Sequence, residues 1–493
     1  MKGGNMIERE KLVKIVGTGN VTYEQTVLDE YSKDMSFVNA LRPGCVVKPT
    51  NADDIQKIVN LANESNSSLV PVSSGPPHFR GDTVPSIGGA TVVDLSSMKK
   101  IMQVDRARRV AMVEPGVTFA EMIPAVEKEG LRLNMPLLPR KSKTVVGSML
   151  EREPVVMPGY HWDISDPLAC LEVIFGIGDF FRTGQAAGPG TIKEQWAAGG
   201  VQKAPYGPGT ASWQRLIQGA QGTMGIVTWA SLRCEQLPKL EEPFVVGTSN
   251  LDRLLDLTHW LIRLRLVNEC FILNNTNLAA IFAKKWPKDY QNLKDALPKW
   301  TLFYTVAGYE YFPEERVSSH VKGITDVTQR FGIEAVKAAG GVSANEILKA
   351  VQQPSGEPYW KLRYKGGCED IFFLTINDKL EVQIGVMNDL AEKAGYPASD
   401  MGVYLQPIVQ GTSIHCEFNL FYDPENPGEA NRIKELSSEA VKKLMAYGAF
   451  FSRPYGESAG MIMNRDAATV AILNKLKKMF DPNHVMNPGK VCF

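Results

Sequence analysis

The stretch Gly219-Ala220-Gln221-Gly222-Thr223-Met224-Gly225-Ile226-Val227-Thr228 decides how this chain is read. Its glycines lead straight into an apolar run, the pattern of a turn that bares its backbone before entering a strand. Such a turn is weak evidence alone, because glycine is the default wherever the chain needs positive φ. Upstream, Thr144-Val145-Val146-Gly147-Ser148 offers a second backbone-exposing segment, and two of them at this separation suit a large dinucleotide. Further back, Leu69-Val70-Pro71-Val72 reads as a buried strand running into the polar turn Ser73-Ser74-Gly75-Pro76-Pro77-His78. A second strand follows at Thr91-Val92-Val93-Asp94-Leu95. Successive amide groups in such a turn form a concavity for phosphate oxygens.

With 493 residues the chain is too long for one ordinary core, so two domains are expected. Lys plus Arg and Asp plus Glu number 54 each, no basic run dominates, and neither nucleic acid nor an anionic membrane is expected as a partner. The seven cysteines are scattered, odd in number and without paired metal-type spacing, as in reduced thiols of a cytoplasmic protein. The first residues lack the apolar core of a signal peptide. No apolar run approaches the roughly 20 residues that span a bilayer.

Thr50 with Asp53 predicts a helix cap ahead of Ile55, Ile58, Val59 and Ala62, which recur at helical spacing. Thr118 with Glu121 repeats the signal, and Pro124 predicts a kink or a short first segment there. Leu171, Val173 and Phe175, a Gly176–Asp179 turn and Phe180-Phe181-Arg182 predict a hairpin with one buried face. Around Glu235 to Pro243 a charged connector bracketed by Pro238 and Pro243 is expected, then a helix capped by Ser249 and Asp252 and running through Leu266. Strands follow at 301–306, 371–374 and 415–421, and a helix at 429–445, so antiparallel return of strands between helices is expected.

These motifs, together with Val113-Glu114-Pro115-Gly116-Val117-Thr118 and the terminal Phe480-Asp481-Pro482-Asn483-His484-Val485-Met486-Asn487-Pro488-Gly489-Lys490, resemble the vanillyl-alcohol oxidase and p-cresol methylhydroxylase flavoprotein family over nearly the whole chain. The resemblance implies an α+β fold: a two-subdomain FAD-binding domain over 1–240, an α+β substrate or cap domain with an antiparallel sheet over 241–450, and a return to the FAD-binding domain over 451–493. It implies FAD held by Ser73, Ser74, Gly75, Pro76, Pro77, His78, Thr144, Ser148, Gly159, His161, Gly222, Gly225, Ile226 and Lys490. It also implies a homo-oligomer. For Lys490, a cation beside the ring stands against a solvated C-terminal lysine.

The chemistry rests on what surrounds the cofactor. Where the family carries an acid beside the reactive ring nitrogen, Pro158-Gly159-Tyr160-His161-Trp162 places Tyr160. A phenol with a reference pKa near 10 is a poor base but a good donor. The family's phenolate clamp of two tyrosines and an arginine is lost: Arg80 stands at the first tyrosine, and Ser458 and Ala459 replace the Tyr-Arg pair. Arg80 either holds an anion, or contacts a flavin phosphate or solvent. Asp370 stands where covalently flavinylated members carry a histidine, so FAD is expected without a covalent bond there, with His78 as a second route.

On His415-Cys416-Glu417-Phe418-Asn419-Leu420-Phe421 the two-residue period sets His415, Glu417 and Asn419 on one face. His415 is the leading proton-transfer candidate, because its ordinary pKa near 6.5 lies close to working pH. An ordinary half-exposed strand gives the same alternation. Ile408 and Val409 occupy the place of a second histidine, so no metal site is expected. Trp162, Tyr206, Phe372 and Phe373 are candidate pocket aromatics.

The resemblance implies an FAD-dependent oxidoreductase passing hydride between a small aromatic or benzylic substrate and flavin, with Tyr160, His415, Arg80 and Glu417 as catalytic candidates. A reductase fed by an electron-transfer partner protein is the reverse direction. A D-2-hydroxy-acid dehydrogenase with Arg80 on the carboxylate is one alternative. A non-catalytic or electron-relay flavoprotein is the other.

Overall fold

The computed structural model describes residues 6–160, 166–207, 209 and 211–493, the Tyr160 side chain excepted. Three sheets carry the architecture. The first orders β1 (Val21–Thr22), β2 (Cys45–Val47), β3 (Leu69–Val72) and β4 (Thr91–Asp94) as β1-β2-β4-β3, with β4 parallel to both β2 and β3. Pro71, which has no N–H to give, is tolerated because β3 is an edge strand. That edge is closed by the C-terminus: Leu69 N donates to the Val485 carbonyl at 2.7 Å and Asn487 N to the Leu69 carbonyl at 2.8 Å.

The second sheet orders β5 (Ile101–Asp105), β6 (Val110–Val113), β8 (Leu168–Phe175), β9 (Phe180–Arg182) and β10 (Gly225–Gln236) as β5-β6-β10-β8-β9, with β7 (Leu131–Leu133) on β10. The hairpin of β8 and β9 forms as the sequence reads, but all eight residues of β8 are buried, so both its faces are covered. The third sheet is antiparallel throughout. It orders β11 (Leu240–Thr248), β13 (Trp300–Gly308), β12 (Cys270–Asn274), β17 (Gly402–Ile408), β18 (Ser413–Tyr422) and β16 (Gly367–Thr375), while β14 (Ala338–Ala339) and β15 (Val342–Ser343) pair separately.

Four local expectations are corrected. The helix Ala52–Ser65 is capped by Asn51, whose side chain accepts from Asp54 N at 2.9 Å, while Thr50 donates to the Asp54 carboxylate. Asn250 rather than Ser249 caps the helix Leu251–Arg263, which ends before Leu266. Phe119–Lys128 runs through Pro124 as one helix behind the capping box of Thr118 and Glu121. The charged connector shrinks to 237–239, because Pro243 lies in β11 opposite Thr305 on another edge strand. Among the described residues no helix is long and apolar enough to cross a membrane.

Asp481 explains the terminal motif. Its fully buried carboxylate accepts from Lys477 Nζ at 2.5 Å and from the Val485 and Met486 amides at 3.0 and 2.9 Å. Lys477 also donates to the Thr223 carbonyl, and Asn487 Nδ2 to the Asp82 and Gln221 carbonyls. One C-terminal turn thus pins together the loop after β3 and the glycine-rich turn before β10.

Candidate active site

A cleft of about 1080 Å³ runs from the turn after β3 to the face of the third sheet. A second, of about 760 Å³, runs along Val146, Gly147 and the Gly219–Val227 segment. They share Pro71, Ser73, Asp82 and Glu151, so the two form one extended channel. Its neutral wall is close-packed backbone. Thr144 Oγ1 lies 3.1 Å from both the Ser73 and Ser74 hydroxyls and accepts from Gly147 N. A Cβ on Gly147 would meet those hydroxyls at 2.8 to 3.2 Å, and one on Gly222, at φ +71°, would meet Pro71 Cγ at 2.4 Å.

Ser73, Ser74 and His78 line the first cleft, and Gly222, Gly225 and Ile226 the second. The other proposed cofactor residues stand behind them. Gly75 accepts from Arg140 and from the Ser142 hydroxyl, whose other bond goes to the Pro76 carbonyl, bracing the turn that ends in Pro77. Ser148 donates to Glu153, and Gly159 lies in a 3-10 turn against β17. Lys490 is buried and donates to the Gly81 carbonyl at 2.7 Å, which rules out a solvated terminal lysine. His161 and Trp162 lie outside the described residues, as does the Tyr160 side chain. Arg140 and Lys143 border the same turn; with burial as the larger cause, they push the His78 pKa down to about 3. Hydroxyls, bared amides and two cations beside a long channel fit the pyrophosphate and sugar of FAD.

The far end is ionic. Antiparallel register sets Asp370 opposite Asn419, Phe372 opposite Glu417, and Tyr404 opposite Glu417, so these side chains share one face. Lys361, from the turn Trp360–Leu362, reaches Asp370 Oδ2 at 2.7 Å and Glu417 Oε1 at 2.6 Å. Asn419 Nδ2 donates to both carboxylates. Arg80 approaches Asp370 at 3.4 Å, so a carboxylate of the protein itself faces its guanidinium. Burial alone would lower Lys361, but Asp370 and Glu417 hold it well above the usual lysine range. Burial would raise Glu417, yet Lys361 and then His415 hold it well below the usual carboxylate range.

His415 is 1% exposed, its ring nitrogens have no hydrogen-bond partner among the described residues, and its Nε2 stands 3.5 Å from Glu417 Oε2. That spacing is an electrostatic approach rather than a well-formed bond. Burial lowers its pKa, so the imidazole is neutral at working pH. The half-exposed alternative for β18 is overturned, since every residue from Ile414 to Tyr422 is buried. Of the candidate aromatics, Phe372 borders a further cavity beside the cleft, Phe373 packs in the core, and Tyr206 is exposed. Sequence reasoning missed Lys361 and Arg453 as site residues. The aromatic and basic run Tyr359-Trp360-Lys361-Leu362-Arg363-Tyr364 was the one signal for Lys361.

Comparison with known proteins adds the following. Residues 43–184 match the FAD binding domain family, and 413–491 match the C-terminal domain of FAD linked oxidases. The flavoprotein subunit of 4-cresol dehydrogenase (hydroxylating) from Pseudomonas putida is 24% identical, over 98% of this chain and 94% of that one. D-2-hydroxyglutarate dehydrogenase from Stutzerimonas stutzeri is 22% identical over 98% of each. A crystal structure of p-cresol methylhydroxylase with substrate bound superposes with a TM-score of 0.84 at 22% identity, covering 98% of this chain and 96% of that one.

Proposed function

We propose, for a chain that belongs to the vanillyl-alcohol oxidase and p-cresol methylhydroxylase family of FAD-linked oxidoreductases, that it oxidises a small aromatic substrate at a benzylic carbon. The observation that carries this reading is the shared face of β16, β17 and β18, which closes the end of the channel with aromatic and acidic side chains. Residues 1–240 and 451–493 would hold the cofactor and 241–450 would cap the substrate. When bound, FAD supplies the acceptor for the substrate's hydride.

The protein's part is position and protons. Phe79, Tyr359, Trp360 and Tyr404 line the cleft and offer faces and edges to an aryl ring. Glu417, ionised and facing the cleft, accepts a hydrogen bond from the hydroxyl of a benzylic alcohol and relays its proton to the neutral His415 behind it, because Lys361 keeps Glu417 too weak a base to hold that proton itself. Lys361 keeps the pair's carboxylate in place. Asp370, engaged by Lys361, Asn419 and Arg80, cannot form the flavin link that a histidine forms at this place, which supports a non-covalent cofactor.

A hydroxy-acid substrate gripped by Arg80 is the weaker reading, because Asp370 already compensates that guanidinium. Anaerobic mixing of the FAD-loaded protein with benzyl alcohols and, separately, with D-2-hydroxy acids tests the choice. Bleaching of the flavin by the alcohols, slowed at least about 100-fold in Glu417→Gln, supports the proposal. Bleaching by aliphatic hydroxy acids alone overturns it.

A further inference from the structure

Beside the cleft, between β16 and the helices Pro427–Ala446 and Gly456–Met463, lies a further cavity of about 770 Å³. Phe79, Arg80, Asp370 and Arg453 line both spaces, so the cavity is continuous with the cleft through these four residues. Phe372 stands between the two arginines, each guanidinium carbon 4.3 Å from its ring centre.

The cations here are not equivalent. Arg80 has Asp370 at 3.4 Å, and Lys434 has Glu457 at 2.8 Å. Arg453 is 6% exposed and has no carboxylate within ion-pair distance among the described residues. Its one hydrogen bond runs from Nη1 to the Glu151 carbonyl at the long distance of 3.4 Å, and its Nε is unpartnered. Removing an ion from water costs several kcal/mol unless an opposite charge compensates it. A neighbouring guanidinium makes that worse. Burial lowers the pKa of Arg453; Tyr455, and less strongly Glu153 and Glu417, oppose that shift, while the field of Arg80 adds to it.

We propose that Arg453 is the specificity-determining residue for a carboxylate on the aromatic substrate, so that the substrate class is an arylcarboxylate rather than a neutral aryl alcohol. The inference rests on the oxidoreductase reading above. A guanidinium with Nε and a terminal nitrogen unspent offers a planar two-donor edge that matches a carboxylate. The carboxylates whose fields reach Arg453, those of Glu153 and Glu417, stand beyond ion-pair distance, so a monoanion at its edge meets a guanidinium with no direct counterion among the described residues. Three of the cavity's serine hydroxyls are committed, Ser36 to Asp34, Ser437 to Glu369 and Ser458 to the Tyr455 carbonyl, so fewer donors face the extra oxygens of a phosphate. Phe37, Phe372 and Phe451 supply the apolar surface that an aryl ring needs.

The test uses the FAD-loaded full chain, titrated calorimetrically with benzoate and phenylacetate and with their uncharged carboxamides. Wild type should bind the acids at least about 30-fold more tightly than the amides. Arg453→Gln should bring the two within about 2-fold by weakening the acids far more than the amides, and Arg453→Lys should restore part of the preference. Equal binding of acids and amides by wild type, absence of binding by either, or an undiminished preference in Arg453→Gln each overturns the inference. So does a variant whose flavin midpoint potential falls while its acid preference stays. Bleaching by benzyl alcohol is scored separately. Bleaching without acid preference sinks the role of Arg453 alone, whereas acid preference without bleaching by any aryl alcohol or aryl hydroxy acid sinks the benzylic chemistry alone.

Discussion

The channel has two walls built on opposite principles. The loop wall of Ser73, Ser74, Thr144, Gly147 and Gly222 is neutral, held by hydroxyl and backbone hydrogen bonds and by close backbone approach. The sheet wall of Arg80, Lys361, Asp370 and Glu417 is a buried set of two cations and two anions that compensate one another. Neutral contacts fail one at a time, each at the modest net worth of a hydrogen bond. A buried ionic set fails as a unit, because deleting one member strands its partner without water.

The harshest way to test that contrast is Lys361→Met. It leaves Asp370 and Glu417 facing each other in a desolvated site, with an expected loss of about 3–5 kcal/mol in urea unfolding. A loss below about 1 kcal/mol would mean that water reaches the wall and that the ionic description is wrong. On the loop side the largest expected effect is Gly222→Ala, which combines positive φ with a Cβ 2.4 Å from Pro71 Cγ. About 2–3 kcal/mol should be lost, with weaker FAD retention on gel filtration.

The same contrast explains what could be read in advance. The loop wall was legible because backbone geometry dictates residue type: Gly222 needs positive φ, and the turn from Asp481 needs its carboxylate for two amides. Strands and their register around His415 were legible from a two-residue period. The sheet wall was not. Its members come from 80, 361, 370 and 417, brought together by strand pairing across long sequence separations, and no local pattern marks Lys361 as an ion-pair residue. Asp370 was visible only as a missing histidine, whereas the fold gives it partners in Arg80, Lys361, Asn419 and the Cys368 thiol. The caps at Asn51 and Asn250 were misplaced by one residue because adjacent Thr50 and Ser249 carry the same chemistry.

A gentler probe of the neutral wall is Thr144→Val, which keeps the shape and removes the hydroxyl that caps Gly147 N and meets Ser73 and Ser74. About 1 kcal/mol is expected, read as a small shift of the unfolding midpoint, with FAD still bound. A loss as large as that of Lys361→Met would erase the distinction between the walls.

The smallest effect concerns pH, at the edge where the sheet meets the further cavity. Glu369 accepts from the Ser437 hydroxyl at 2.9 Å, and burial pushes its pKa up to about 7 despite that bond. A carboxyl whose folded pKa lies above its unfolded value binds its proton more tightly when folded. It therefore favours the fold in acid, and that contribution fades as pH rises from the unfolded value near 4.3 toward 7. Glu369→Gln should flatten the stability profile across that window by under about 1 kcal/mol, since partial exposure screens the group. Unfolding midpoints measured from pH 4.5 to 7.5 decide it. Glu417→Gln, followed from pH 7 down to about pH 2, should show the opposite sign: the wild-type advantage is fully present above the unfolded value near 4.3 and is lost as pH falls below it, because Lys361 holds that carboxylate ionised. If both variants shifted the profile in the same direction, the ionic wall would not extend through Glu417 as its distances require.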